Sequence, residues 1–308
     1  MYIFDFNLIY KLKYLEQLKM MKNNEIPCII VHRGYKPYLK FNLKITSKNN
    51  KIFLIGDSSV SNLASINDKI EFIDIRDFER RDRILELRKN FVNYNTQSND
   101  IEWMNFERVF IMQDFMLERD YKQVFHLDSD NILLKNINTF KFKNRIAYCI
   151  PSFQDNYRMD SSIHCGLLEN KFFTEFEKLF SDLYINKSKF HLIEKKINYH
   201  AENGVRGGIT DMTLYYLLNK LKKISPQNLM QPFKSADDEE YIFINNYNLA
   251  EGFYDLNNFK MKRKNIRLYN GNSVYDLINL KKVKIANIHF QGSSKKYLNK
   301  YTKYRLKY

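Results

Sequence analysis

Cysteine, proline and glycine are all scarce in this chain: its 308 residues include three Cys, five Pro and nine Gly. So little Pro and Gly excludes a collagen-like or low-complexity polypeptide, and no linker of that composition divides the sequence. Cys28, Cys149 and Cys165 lie in or beside apolar runs, without metal-ligand spacing. An odd count in that setting argues against a disulfide framework and reads as reduced thiols of a cytoplasmic protein. No run approaches the ~18 uncharged apolar residues that a membrane-spanning helix requires. The opening stretch MYIFDFNLIYKLKYLEQLKMMK carries Asp5, Lys11, Lys13 and Glu16. It fits a signal peptide poorly and reads as a helical extension over residues 1–24.

What is abundant is apolar and basic. Hydrophobic residues make up 44% of the chain, enough for the core of one large domain spanning 1–308. Lys and Arg number 50 against 35 Asp and Glu, a net charge of +15. Such an excess implies an anionic partner: nucleic acid, an acidic membrane face or a phosphorylated substrate. A generic lysine-rich solvated surface explains much of it equally well. Two clusters stand out, MKRKNIR at 261–267 and the basic tail KKYLNKYTKYRLKY at 295–308. In the tail Tyr297, Leu298, Tyr301, Tyr304 and Leu306 are interleaved with Lys and Arg. Two readings stay open there, a basic amphipathic helix on an anionic membrane and a helix packed on the domain with its lysines in water. No helix-turn-helix, zinc or RNP signature supports a nucleic-acid-binding protein.

Hydrophobic periodicity gives an α/β reading. Short apolar runs at 26–35, 51–59, 69–75, 123–130, 145–150, 163–169 and 283–290 read as strands, several of them continuously apolar. Helical spacing follows the first strand and recurs at 101–118, 171–185 and 210–222. This alternation predicts a mostly parallel central sheet flanked by helices. Polar stretches at 186–209 and 231–265 read as long functional loops.

One stretch carries the chemistry. In VFHLDSDNILL (124–134) an apolar run meets two aspartates, Asp128 and Asp130, then resumes. About one D-x-D arises by chance in a chain of this length, so a plain surface turn is the bland reading. If 123–130 is extended, Asp128 and Asp130 share one face and Ser129 takes the other. Ligands of open α/β sheets sit beyond the carboxyl ends of the strands. Paired carboxylates there suit Mn²⁺ or Mg²⁺ bridging to a substrate diphosphate.

At this point the chain resembles the DxD-containing glycosyltransferases of the Rossmann-like GT-A fold. The nearest resemblance is to glycosyltransferase family 8, the glycogenin and lipopolysaccharide glucosyl- and galactosyltransferase group. FERVFIMQDFMLERDYKQVFHLDSD is similar to that family's arginine-bearing helix (here Arg108) leading into the DxD strand. IHCGLLENKFFTEF matches a strand–Gly–helix segment, with His164 where asparagine is usual. HFQGSSK fits H-x-x-G-x-x-K at His289, Gly292 and Lys295. The motifs are scattered over residues 27–298, in the family's order.

The resemblance implies a metal-dependent transferase. It moves sugar from a nucleotide-diphosphate donor, with UDP expected, to a glycan or lipid-linked acceptor in surface polysaccharide or glycoconjugate synthesis. Metal ligands are then Asp128, Asp130 and His289, although His289 alone would pass for a core histidine. The donor side takes His32, Arg33, Gly34, Asp57, Arg108, Ser129, Gly292 and Lys295. Arg108 is equally open to a structural salt bridge, and Lys295 to a solvated tail position. His164, Gly207 and Gly208 fall on the acceptor side. Asp211 is the catalytic candidate, as a base or as a stabiliser of charge on the sugar. The competing reading is an acid in the first turn of a helix that Thr210 caps. Family 8 usually has Asp-Gln where this chain has Asp211-Met212, which opens the stereochemical course to inversion. A nucleotidyltransferase on a similar sheet is the remaining rival, but no Gly-rich phosphate loop follows the first strand. The expected location is cytoplasmic, with peripheral contact on the inner membrane face.

Overall fold

The computed structural model describes residues 25–155, 157–245, 273–276 and 281–298. The chain opens β1 (Cys28–His32), α1 (Pro37–Thr46), β2 (Ile52–Gly56) and β3 (Ile70–Asp74), then α2 (Asp82–Asn90) and α3 (Asn99–Glu118). Next come β4 (Gln123–Leu127), β5 (Asn131–Leu133), β6 (Ala147–Cys149) and β7 (Ser162–Glu169). Helices α4 (Asn170–Phe180), α5 (His191–Glu202) and α6 (Asp211–Lys220) follow. The last strands are β8 (Gln227–Asn228), β9 (Phe233–Lys234), β10 (Glu240–Ile244), β11 (Ser273–Asp276) and β12 (Lys281–His289).

The main sheet has seven strands in the order β3-β2-β1-β4-β7-β6-β8. Strands β3, β2, β1 and β4 run parallel, and β7 returns antiparallel beside β4. Chain order reverses between β1 and β4, and such a switch point opens a crevice at the carboxyl ends of the strands. A second sheet, β11-β12-β10-β9, is joined by β5, which pairs antiparallel with β12.

Alternation along the central strands explains why both faces of the main sheet are apolar. Ile29, Phe53 and Val124 face α3, α4 and α6, where Trp103, Phe106, Phe110, Phe172, Phe176 and Tyr215 form an aromatic core. Cys28, Ile30, Leu54 and Phe125 face the other way, toward Leu39 and Leu43 of α1 and Phe243 of the second sheet. Helix α1 begins on Pro37, whose fixed φ and missing N–H cost nothing in a first turn.

Three expectations change. The stretch 186–209 is not a loop throughout: it holds α5, a polar helix that buries only Ile193 and Lys196. The stretch from 231 contributes β9 and β10 as far as it is described. Strand β4 stops at Leu127, and Asp128–Asn131 forms a turn closed by Asn131 N–H donating to Asp128 O at 2.9 Å. The two acids therefore leave the sheet through a turn, not along an extended strand. The segments 1–24, 261–267 and 299–308 lie outside the described residues.

Candidate active site

The turn after β4 sits in the β1/β4 crevice and is pinned from beneath. The main-chain oxygen of His164 in β7 accepts from Asp128 N–H at 2.8 Å and from Asn131 Nδ2 at 2.9 Å. Antiparallel pairing of β5 with β12 sets His289 opposite Asn131, and Asn287 Nδ2 donates to Asn131 Oδ1 at 2.5 Å. Two strands more than 150 residues apart thus deliver Asp128, Asp130 and His289 to one point. One ligand atom from each lies within 4.8 Å of the others.

Each carboxylate already has one cationic and one imidazole partner. Asp128 Oδ1 accepts from Arg108 Nη1 at 2.6 Å and faces His126 Nε2 at 3.2 Å. Asp130 Oδ1 lies 3.2 Å from His289 Nε2 and Oδ2 lies 3.1 Å from Lys295 Nζ. Burial pushes the Asp128 carboxyl up, but Arg108, His126 and His289 outweigh it and hold it well below the usual range. Asp130 is lifted by burial too, and His289 and Lys295 more than compensate, so it is lowered as well. Both acids are ionised at neutral pH. Buried paired carboxylates need such partners or a cation.

Arg108 is the hub of the inner wall. Its Nη2 reaches Asp211 Oδ2 at 2.7 Å while Nη1 holds Asp128, so the side chain bridges both acids. Asp211, in the first turn of α6 and 3% exposed, also accepts from Tyr215 O–H at 2.9 Å and from Met212 N–H at 2.9 Å. Of the two readings of Arg108, the ion pair with the acids is the one the geometry contains.

The donor-side candidates divide. Asp57 closes β2 and binds Gly34 N–H at 2.7 Å and Ser59 N–H at 2.9 Å, tying the ends of β1 and β2 together. Gly34 has φ +74°, a left-handed conformation that suits glycine. His32 is buried edge-on to Tyr38 at 6.2 Å, and no described residue bonds its Nε2. Ser129 offers its carbonyl to Asn42 Nδ2 at 2.8 Å. Lys295 and Gly292 lie in the short 3-10 turn Gly292–Tyr297 after β12. Arg33 turns away from this group: its guanidinium pairs with Glu79 at 2.8 Å and with the buried Glu107.

On the other side a cavity of about 830 Å³ is lined by Asn95, Tyr157, Lys196, Arg206, Gly207 and Gly208, among others. Gly207 and Gly208 have φ of +133° and +138°. A Cβ at Gly208 would strike Tyr94 O, and one at Gly207 would meet the His200 ring. Their freedom thus serves backbone packing against 94–96 as well as the cavity wall. His164 does not reach this cavity. Its ring stacks on His289 at 4.3 Å between centroids. From the sequence His126 reads as a structural or surface histidine, and Asn131 and Asn287 carry no signal of their own. His126 carried the available signal, standing two residues before Asp128 on the same strand.

No family model matches the sequence, and no curated protein sequence matches it. Among solved structures, the apo form of mouse xyloside xylosyltransferase 1 superposes with a TM-score of 0.51 at 10% identity, covering 88% of this chain and 99% of that one. PaToxG glycosyltransferase follows at a TM-score of 0.39 and 12% identity, over 68% of this chain and 77% of that one. GlyE of Streptococcus pneumoniae TIGR4 gives 0.34 and 15%, over 67% and 45%. The likeness to the xylosyltransferase concerns the fold: this chain has the mixed α/β fold of that enzyme.

Proposed function

We propose that the protein is a metal-dependent glycosyltransferase that takes a nucleotide-diphosphate sugar, with UDP as the expected nucleotide, as its donor. One observation carries the reading. Asp128, Asp130 and His289 converge at the carboxyl edge of the β1/β4 switch point, with Lys295 on Asp130. The donor set of two carboxylates and an imidazole fits Mn²⁺, and Mg²⁺ less well, because an imidazole favours the softer ion. Asp128, Asp130 and His289 would hold that ion, which when bound supplies positive charge for the donor diphosphate.

The chain's own residues account for the rest. Arg108 fixes one oxygen of Asp128 and orients the carboxylate. Lys295 is 3.1 Å from Asp130 before any cation is present. Released from that pair, it would face the donor phosphates and stabilise negative charge on the leaving nucleotide. Gly34, Asp57 and His32 border the base and ribose, and the cavity beside Gly207 and Gly208 receives a glycan or lipid-linked acceptor. Arg33 is assigned to the fold and removed from the donor group. Asp211 is read as a positioning residue: its bonds to Arg108 and Tyr215 let it hold Arg108 in register with Asp128.

Donor hydrolysis tests the proposal without a known acceptor. UDP- and GDP-sugars are incubated with the full chain and Mn²⁺, and released nucleotide is measured. At least one donor should be hydrolysed, and Asp128→Asn should abolish the reaction. Failure of every donor, or an unimpaired Asp128→Asn, overturns the reading.

A further inference from the structure

Directly behind the acidic cluster lies a second group of potential ligands with different chemistry. Cys149 ends β6, and His164 and Cys165 are consecutive in β7. Neighbours in a regular strand point to opposite faces, but the register of β6 on β7 shifts between Ala147 and Cys149. The three side chains converge there. Cys149 Sγ is 3.9 Å from Cys165 Sγ and 3.6 Å from His164 Nε2, and the three ligand atoms lie within 4.8 Å of one another.

We propose that Cys149, His164 and Cys165 form a binding site for one thiophilic divalent ion of the zinc class, distinct from the hard-donor cluster of Asp128, Asp130 and His289. Distances carry the assignment. Tetrahedral zinc with bonds of about 2.3 Å to sulfur and about 2.05 Å to nitrogen separates two sulfurs by about 3.8 Å and sulfur from nitrogen by about 3.6 Å. The observed separations of 3.9 Å and 3.6 Å match both values. The imidazole is also prepared as a ligand. Ser162 Oγ lies 2.9 Å from His164 Nδ1 and already accepts from His164 N–H at 3.2 Å. In the tautomer that donates Nδ1–H to this hydroxyl, Nε2 keeps its lone pair toward Cys149, and Ser162 is the outer partner that metal-bound histidines usually have.

Two thiolates neutralise a divalent charge, so a filled site carries no net charge into a region where Cys149 and Cys165 are fully buried and His164 nearly so. Asn245 Nδ2 lies 3.3 Å from Cys149 Sγ; water, or its amide oxygen after rotation, would complete a fourth position. The His164 ring lies against His289 at 4.3 Å and 12°. An ion on Nε2 would therefore lock the ring that backs the catalytic cluster.

The test loads the full chain by expression in cobalt-supplemented medium, because the site is buried, and removes loosely held ions with a chelator. One Co²⁺ per chain should remain, with thiolate-to-cobalt charge-transfer absorption in the near ultraviolet. Cys149→Ser and Cys165→Ser should each lose that absorption. Asp130→Asn and Cys28→Ser should keep it, which separates this site from the donor site. X-ray absorption at the cobalt edge on the unmutated chain gives a second readout that needs no variant, with two sulfurs in the coordination shell expected. A shell of oxygen and nitrogen alone, no retained cobalt, or charge-transfer absorption that survives Cys149→Ser would overturn the proposal.

Discussion

Single side chains hold opposite kinds of tension in this site. Glu102 in α3 is fully buried, and no described residue bonds either of its carboxylate oxygens. Burial, with the nearby Asp211 charge, pushes its carboxyl from 4.5 to about 7, despite Arg108 pulling the other way. The folded chain therefore keeps a proton that the unfolded chain releases, and stability falls as pH rises between 4.5 and about 7. The whole effect is about 3 kcal/mol. Glu102→Gln should be the more stable protein at about pH 8 by roughly that amount and nearly equal at about pH 4 in urea denaturation. Equal stabilities at both pH values would contradict a buried neutral acid. Gly208 tests backbone freedom instead. Gly208→Ala adds a Cβ against Tyr94 O at φ +138° and should cost about 2–4 kcal/mol, read as a lower melting temperature. Neither environment could be read locally. A lone Glu in an amphipathic helix looks solvated until its partners are known, and Arg33, expected on the donor side, meets Glu79 and Glu107, 46 and 74 residues away.

Elements explain why the acids were legible and their geometry was not. Strand β4 is recognisable as an apolar run, and aspartates at its carboxyl end point to the crevice of any such sheet. The turn that follows depends on bonds from β7 and β12, which no local pattern encodes. Helix α5 was missed because most of its twelve residues are polar: only Ile193 and Lys196 are buried, with Leu192 and Ile197 partly so. The β5–β12 pairing gives the first element-level prediction. Asn287→Ala leaves buried Asn131 without its 2.5 Å partner and should cost about 1–3 kcal/mol. Because the same pairing carries His289, Mn²⁺ affinity should fall as well. A variant of lower stability with unchanged metal affinity would separate the strand from the site. The second concerns the link from α3 to α6. Asp211→Asn should weaken Mn²⁺ and donor binding along with turnover, because Arg108 loses one of its two anchors. A loss of ~10² in turnover with unchanged affinities would instead make Asp211 a general base.

At the scale of the whole molecule, a net charge of +15 agrees with an anionic donor and leaves room for an anionic surface. No helix among the described residues is long and apolar enough to cross a membrane. If the tail docks on acidic lipid, sedimentation with anionic vesicles should fall as salt rises, and removal of residues 299–308 should reduce it. Unchanged sedimentation would assign those lysines to water. A mostly parallel sheet flanked by helices, with its crevice at the carboxyl ends of the strands, was legible in the alternating apolar runs; the strand order and the antiparallel return of β7 were not, because they depend on long-range pairing. The central claim is that Asp128, Asp130 and His289 hold a divalent cation for a nucleoside diphosphate. Electron paramagnetic resonance titration of Mn²⁺ in the presence of UDP or GDP measures it most directly. The wild-type chain should remove one Mn²⁺ per molecule from the free-ion signal, and Asp130→Asn should weaken that binding by ~10² or more, about 2.7 kcal/mol. Mn²⁺ that stays free with both nucleotides, or binds Asp130→Asn as tightly as wild type, would contradict it.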